Sequence, residues 1–175
     1  MIEILSCIFI IGFGTLCHFI YEASGEKKWC AFLFPVNESV WEHVKMYILP
    51  SFLWMIVEFL LYSSNPNYLT IKLISMLSVI IFIPLVFYIV FYIMKKESII
   101  ASIIEFILDI IIGQIVFYRL LLVESNFSFG IFAIIGLLLI FVCYALFTFF
   151  PPKIFLFEDS TNGKYGIKAH TNYHH

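Results

Sequence analysis

The chain has 175 residues, 62% of them hydrophobic and 13% charged, and carries a formal net charge of −2. Soluble domains average about a quarter charged residues, because charge holds the boundary with water. This balance excludes a soluble enzyme and a disordered chain, and the lack of any basic excess excludes nucleic acid as a partner. An integral membrane protein remains, with the lipid bilayer as its first partner.

About 20 apolar residues cross the hydrocarbon layer as a helix. Five such runs are predicted, giving an all-α bundle of five transmembrane helices over residues 1–150. They cover Ile2 to Tyr21, Met46 to Tyr62, Leu69 to Met94, Ile99 to Val123 and Phe129 to Phe150. Polar breaks separate them: Ser63 to Asn67, Lys95 to Glu97, and Glu124 to Asn126. Pro151 and Pro152 stop the last run, since neither has an N–H to extend a helix. The first run lacks a basic leader and is longer than a signal-peptide core, so it reads as a true span.

Eight of the ten basic residues fall on one side of this arrangement. Lys27, Lys28 and Lys45 follow the first run, Lys95 and Lys96 the third, and Lys153, Lys164 and Lys168 the fifth. The positive-inside rule then sets the N-terminus outside and the tail, residues 151–175, in the cytoplasm. Cys7, Cys17, Cys30 and Cys143 show no paired spacing and read as small apolar side chains.

Residues 24–45 form a polar segment leading into the second span. Ser39 and Glu42 match a capping box, in which each side chain takes a backbone donor of the other. Asn37 is the alternative cap, with Glu38 favoured in the first turn by the helix dipole. A helix therefore starts at 38–40 and continues into the second span, kinking at Pro50 or changing there from interfacial to spanning. His43, Tyr47, Ser51, Trp54, Glu58 and Tyr62 then share one face, which must meet protein or water.

The run Phe34-Pro35-Val36-Asn37-Glu38-Ser39-Val40-Trp41-Glu42-His43-Val44-Lys45 closely resembles a signature of an uncharacterised family of small bacterial membrane proteins. His18 to Gly25 is similar to a second motif of that family, with Ala23 where a Trp is expected. Leu156-Phe157-Glu158-Asp159, followed by Gly163, Tyr165 and Gly166, resembles a third. The resemblance implies a multipass protein of the bacterial inner membrane and supplies no activity.

Ionisable side chains within spans each cost about 2.5 to 3.5 kcal/mol on insertion scales, so each calls for a partner. His18 and Glu22 stand at i and i+4 on the first helix, and Glu105 and Asp109 do so on the fourth. Glu42 and His43 enter from the same side. His18, Glu22, Glu42 and His43 are the candidate metal ligands, and Glu105 and Asp109 the candidate catalytic acids or bases. Two imidazoles with carboxylates suit zinc, manganese or iron. Adjacent Glu42 and His43 point about 100° apart, so one of them orients the other's ligand shell instead. The plain alternatives are a helix-end ion pair for His18 with Glu22, a capping role for Glu42, snorkelling for Lys45, and protonated acids at 105 and 109. Glu58 reads as a bridge to Arg119 or as a step on an ion path.

In the tail, Asn162-Gly163 marks a turn flanked by a short hairpin. Asp159 folds back as a lid residue or extra ligand, unless the tail is disordered. His170, His174 and His175 read as chain-end residues. Three functions stand on these features. One is a metal-dependent hydrolase of lipid-like substrates, although no HExxH or GxSxG motif is present. The second is a small proton- or cation-coupled transporter, and the third a non-catalytic component that recruits a partner through residues 24–45.

Overall fold

A computed structural model describes residues 2–95, 98–124 and 126–169. Lys96, Glu97, Ser125, His170, His174 and His175, to which roles were assigned above, lie outside the described residues. Six α-helices follow in chain order: α1 Ile2–Ala23, α2 Lys28–Leu33, α3 Val40–Tyr62, α4 Tyr68–Met94, α5 Ile99–Leu121 and α6 Ile131–Leu146. Short 3₁₀ turns at Phe155–Phe157 and Gly166–Ala169 shape the tail. Four helices, α1, α3, α4 and α5, are long and apolar enough to cross a membrane. At 16 residues, α6 rises only about 24 Å, short of a bilayer core of about 30 Å. The expected fifth span, Phe129 to Phe150, thus contains a shorter helix closed by a turn over residues 147–149.

The outer faces of these helices are apolar. Ile4, Ile8, Leu60, Ile81, Ile103 and Leu138 are each more than half exposed. A face of this kind is stable against lipid and would be unstable against water. Inside, α5 packs chiefly on α4 and α1, and α3 lies between α1 and α4. The main apolar core runs from Ile10 through Val44, Ile48 and Met76 to Ile110 and Tyr144.

Pro50 sits inside α3, which runs through it without interruption. Having no N–H, Pro50 cannot satisfy the carbonyl four residues earlier, that of Met46. Gly14 of α1 packs against this same carbonyl, and a Cβ there would lie 2.5 Å from Met46 O. The missing side chain lets α1 close over a carbonyl that α3 leaves free.

The start of α3 is capped at Ser39 as its sequence suggests, with one correction, and α5 is capped likewise by Ser98. Ser39 Oγ accepts from the Glu42 N–H at 3.4 Å, and Ser98 Oγ accepts from the Ala101 N–H. The reciprocal half of the expected box does not form. The Ser39 N–H donates to Asn37 Oδ1 instead, and the Glu42 carboxylate accepts from the Val36 N–H. Of the expected inward stripe on α3, Tyr47, Ser51 and Glu58 are buried, while His43, Trp54 and Tyr62 are part-buried.

The tail is ordered against the bundle up to Ala169. Asp159 N–H donates to Lys164 O, Gly163 adopts a positive φ, and Glu158 bridges Tyr165 in antiparallel register. These features form the short turn expected at Asn162-Gly163. Trp41 of α3 packs on Phe147 and Phe157, which joins the start of α3, the end of α6 and the tail.

Candidate functional site

The polar residues of interest gather at the end of the bundle where α1 finishes and α3 and α5 begin. The first turn of α3 divides them, because neighbouring residues on a helix project about 100° apart. Glu42 points to one side and His43 to the other.

On the Glu42 side lies a closed ionic network. Lys45 Nζ is 3.1 Å from Glu42 Oε2, and both side chains are almost fully buried. Lys45 also donates to the carbonyls of Ala31 and Phe34, each at 3.1 Å, and to Thr148 Oγ1 at 2.7 Å. The Thr148 hydroxyl in turn donates to Glu42 Oε1 at 2.9 Å. The two carbonyls belong to the end of α2, which no following turn can satisfy. Tyr144 donates to a third carbonyl there, that of Leu33. Glu42 is therefore held as a structural partner within this network and faces away from the candidate site. Lys45, expected to snorkel, is the cation that neutralises it.

On the other side, Glu38 stands between two imidazoles. Its Oε1 is 3.5 Å from His18 Nε2, and its Oε2 is 3.8 Å from His43 Nε2. The rings lie 6.0 Å apart, tilted by 29°. His43 Nδ1 is 3.0 Å from the Ser39 carbonyl, which can only accept, so that nitrogen carries the hydrogen. Glu38 precedes the Ser39 cap and so lies outside the helix, where its side chain reaches both α1 and α3.

A cleft of 390 Å³ opens beside these groups, lined in part by His18, Glu22, Asn37, Glu38 and Asp159. The tail forms one of its walls. Asp159 Oδ2 accepts from the Glu38 N–H at 3.2 Å, and Asn37 Nδ2 donates to Gly166 O at 2.9 Å. The Thr161 N–H donates to Asp159 Oδ1 at 2.8 Å. Asp159 therefore folds back as a wall residue. Near the turn, the Tyr165 hydroxyl donates to Glu158 Oε2, and this bond raises the phenol's pKa above its ordinary value.

A second, much smaller cavity of 20 Å³ lies between α3, α4 and α5. His43 and Glu105 both line it, with Ser102, Ile83, Phe87 and Phe106. A void of about 10–15 Å³ admits one water, so this one is of water size. Glu105 is 6% exposed and Asp109, one turn deeper, 1%. Neither Glu105 oxygen is hydrogen-bonded, nor is Asp109 Oδ2. Further along α5, Gln114 Oε1 is buried in the same condition.

Five of the six expected residues thus share this end of the bundle. His18 and Glu22 line the cleft, His43 stands between cleft and small cavity, and Glu105 and Asp109 lie behind it; Glu42 alone is turned away. Glu38 is the addition. It was assigned to the helix dipole, although a cap at Ser39 already places residue 38 outside the helix. Among the described residues, no group of three or more His, Cys, Asp or Glu side chains is arranged to hold a metal ion. All four cysteines are free thiols.

Glu58 does not meet Arg119. Lys72 Nζ of α4 lies 2.7 Å from Glu58 Oε2, with both side chains buried, while Arg119 is exposed. The contact is ionic, since neither Glu58 oxygen receives an aligned hydrogen bond. Lys72 occupies the inner face of α4 near its start, and Arg119 the outer face of α5.

Comparison with known proteins adds a family. The model of a family of unknown function matches residues 1–167. The chain belongs to DUF6512. Nearly all of the DUF6512 match lies within the described residues, and it includes both buried acids and the cleft apart from Ala169. No curated protein matches the chain, and no solved structure does.

Proposed function

We propose that this DUF6512 member is a small proton-coupled transporter of the bacterial cytoplasmic membrane, with five spans and with the cleft and tail on the cytoplasmic side. The charge bias supports that orientation, and α6 with the turn after it supplies the fifth crossing. One observation carries the functional reading. Glu105 and Asp109 are buried without hydrogen bonds to Glu105 or to Asp109 Oδ2, behind a water-sized cavity shared with His43. An ionised carboxylate there is costly unless a proton or cation accompanies it, and on insertion scales two acids cost about 5–7 kcal/mol together. Ionisable residues inside a span characteristically mark proton or ion pathways. His43 lines that cavity beside Glu105, while its Nε2 faces Glu38 on the cleft side.

The hydrolase reading is the weaker one, because Glu42, counted among its ligands, is committed to Lys45 and Thr148. The test is proton movement in vesicles containing the purified chain and an entrapped pH-sensitive dye. After a pH step, wild type should equilibrate faster than empty vesicles. Glu105→Gln and Asp109→Asn should each remove the difference, and Arg119→Gln should retain it. Equal rates in wild type and both acid variants would overturn the reading.

A further inference from the structure

We propose that α2 and residues 150–155 form an edge that binds the headgroups of anionic phospholipid, at the end of the bundle that holds the cleft. This concerns lipid recognition alone and stands whether or not protons pass to Glu105. The first support is that the two segments are tied together. Cys30 and Ala31 of α2 are buried in a cluster against which Phe149 packs. Lys45 donates to the Ala31 and Phe34 carbonyls and to Thr148 Oγ1, so one ammonium joins α2 to the turn after α6. The exposed side chains of both segments therefore hold fixed places at the same end of the bundle.

The second support is apolar exposure where the helices end. Trp29 is 63% exposed, Phe150 75% and Phe155 80%, and all three lie past the ends of α1 at Ala23 and α6 at Leu146. Rings so placed are stable in the headgroup layer, where an apolar body meets acyl chains and a polar tip meets water. The third support is charge. Lys28 adjoins Trp29, and Lys153 lies between Phe150 and Phe155 in sequence; both lysines are exposed, as is Lys27. Residues 27–36 and 147–157 contain no Asp or Glu. The cleft has the opposite sign, with Glu22, Glu38 and Asp159 in its lining. Charges are thus sorted at this end of the bundle, carboxylates toward the cleft and lysines with the exposed rings. Lysines set beside Trp and Phe are the composition of an interfacial segment, and they select net-negative headgroups over zwitterionic ones. Each lysine near such a surface gives about a fivefold preference.

The alternative is an aromatic edge that accepts any phospholipid, and the experiment separates the two. The full chain is reconstituted in phosphatidylcholine vesicles that carry graded amounts of brominated phosphatidylglycerol or brominated phosphatidylcholine. Bromine quenches nearby tryptophan, and the share of the signal from Trp29 is the difference between wild type and Trp29→Phe. Half-quenching of that share should need at least about fivefold less brominated phosphatidylglycerol than brominated phosphatidylcholine. The preference should shrink at high salt, which screens exposed charges. Lys27→Gln/Lys28→Gln/Lys153→Gln should bring the two lipids within about twofold of each other. Its three side chains are exposed, and an unchanged circular dichroism spectrum checks its fold. Arg119→Gln, in the last turn of α5 at the opposite end of the bundle, should keep the preference. Equal quenching by the two lipids in the wild type would overturn the proposal, as would an undiminished preference in the folded triple variant. If that variant does not fold, the wild-type comparison decides by itself.

Discussion

Replacing Lys45 with Met tests the ionic network at the start of α3. The butyl stem keeps its volume with Met, while the ammonium and its four contacts are lost: Glu42, Thr148 and the carbonyls of Ala31 and Phe34. The Glu42 carboxylate then stays buried with only the Val36 N–H and the Thr148 hydroxyl as donors. Breaking a buried pair from one side costs about 3–5 kcal/mol, because an uncompensated charge remains. The two carbonyls of α2 lose their donor as well, at about 1–3 kcal/mol each if nothing replaces it, and part of this overlaps the first figure. A loss of about 4 kcal/mol is expected for Lys45→Met. Replacing both charges by apolar side chains of similar size is often close to neutral, so Glu42→Leu/Lys45→Met should recover at least half of that loss. Equilibrium unfolding by SDS in mixed micelles, followed by tryptophan fluorescence, measures both variants, since Trp41 is buried beside the network. A loss below about 1 kcal/mol in Lys45→Met would refute the reasoning, as would a double variant as unstable as the sum of its parts.

Gly14→Ala should destabilise by about 1–3 kcal/mol in the same assay, because its Cβ would press on Met46 O and helix backbones cannot yield as side chains do. A neutral result would mean that α1 and α3 separate freely at this point. Lys72→Met should cost about 3–5 kcal/mol by stranding Glu58, while Arg119→Gln should change stability by less than about 0.5 kcal/mol. The reverse order would restore the Glu58–Arg119 bridge. Asp159→Ala removes the acceptor for the Glu38 and Thr161 N–H groups, so hydrogen exchange over residues 157–169 should accelerate while α4 keeps its protection. Equal exchange in variant and wild type would show that apolar packing alone holds the tail.

Four of the spans were legible because each is decided locally: a run of apolar residues bounded by Ser, Asn or charged breaks. The Ser39 cap and the Asn162-Gly163 turn were legible for the same reason, since their partners lie within a few residues. What was not legible depends on distant partners. Glu42 has a backbone donor to satisfy six residues back, but its charge is balanced through Lys45 and Thr148, and Thr148 lies 106 residues away. Spacing alone could not distinguish that role from metal ligation. Glu58 had two cations near its depth, and only the rotation of α4 and α5 selects Lys72. The helix in the fifth apolar run is shorter than the run, because apolar composition continues through Phe147 to Phe150 whereas the backbone turns where Thr148 enters the network. Glu38 was misassigned for a subtler reason: the cap that starts α3 also releases the preceding side chain.

Thr148 also ties the start of α3 to a part of the chain made much later in synthesis. Glu42 and Lys45 leave the ribosome about a hundred residues before it, on a segment bound for the membrane edge. Until Thr148 arrives, the carboxylate and the ammonium each lack one of their partners. The Ile167 N–H then bonds to the carbonyl of that same residue, which ties the tail to the finished network. The polar seam is therefore completed by residues from the last part of the chain, and without them the charge pair lacks one of its hydrogen-bond partners. A chain that ends before residue 148 would hold all four long helices and still lack the threonine that completes their polar seam.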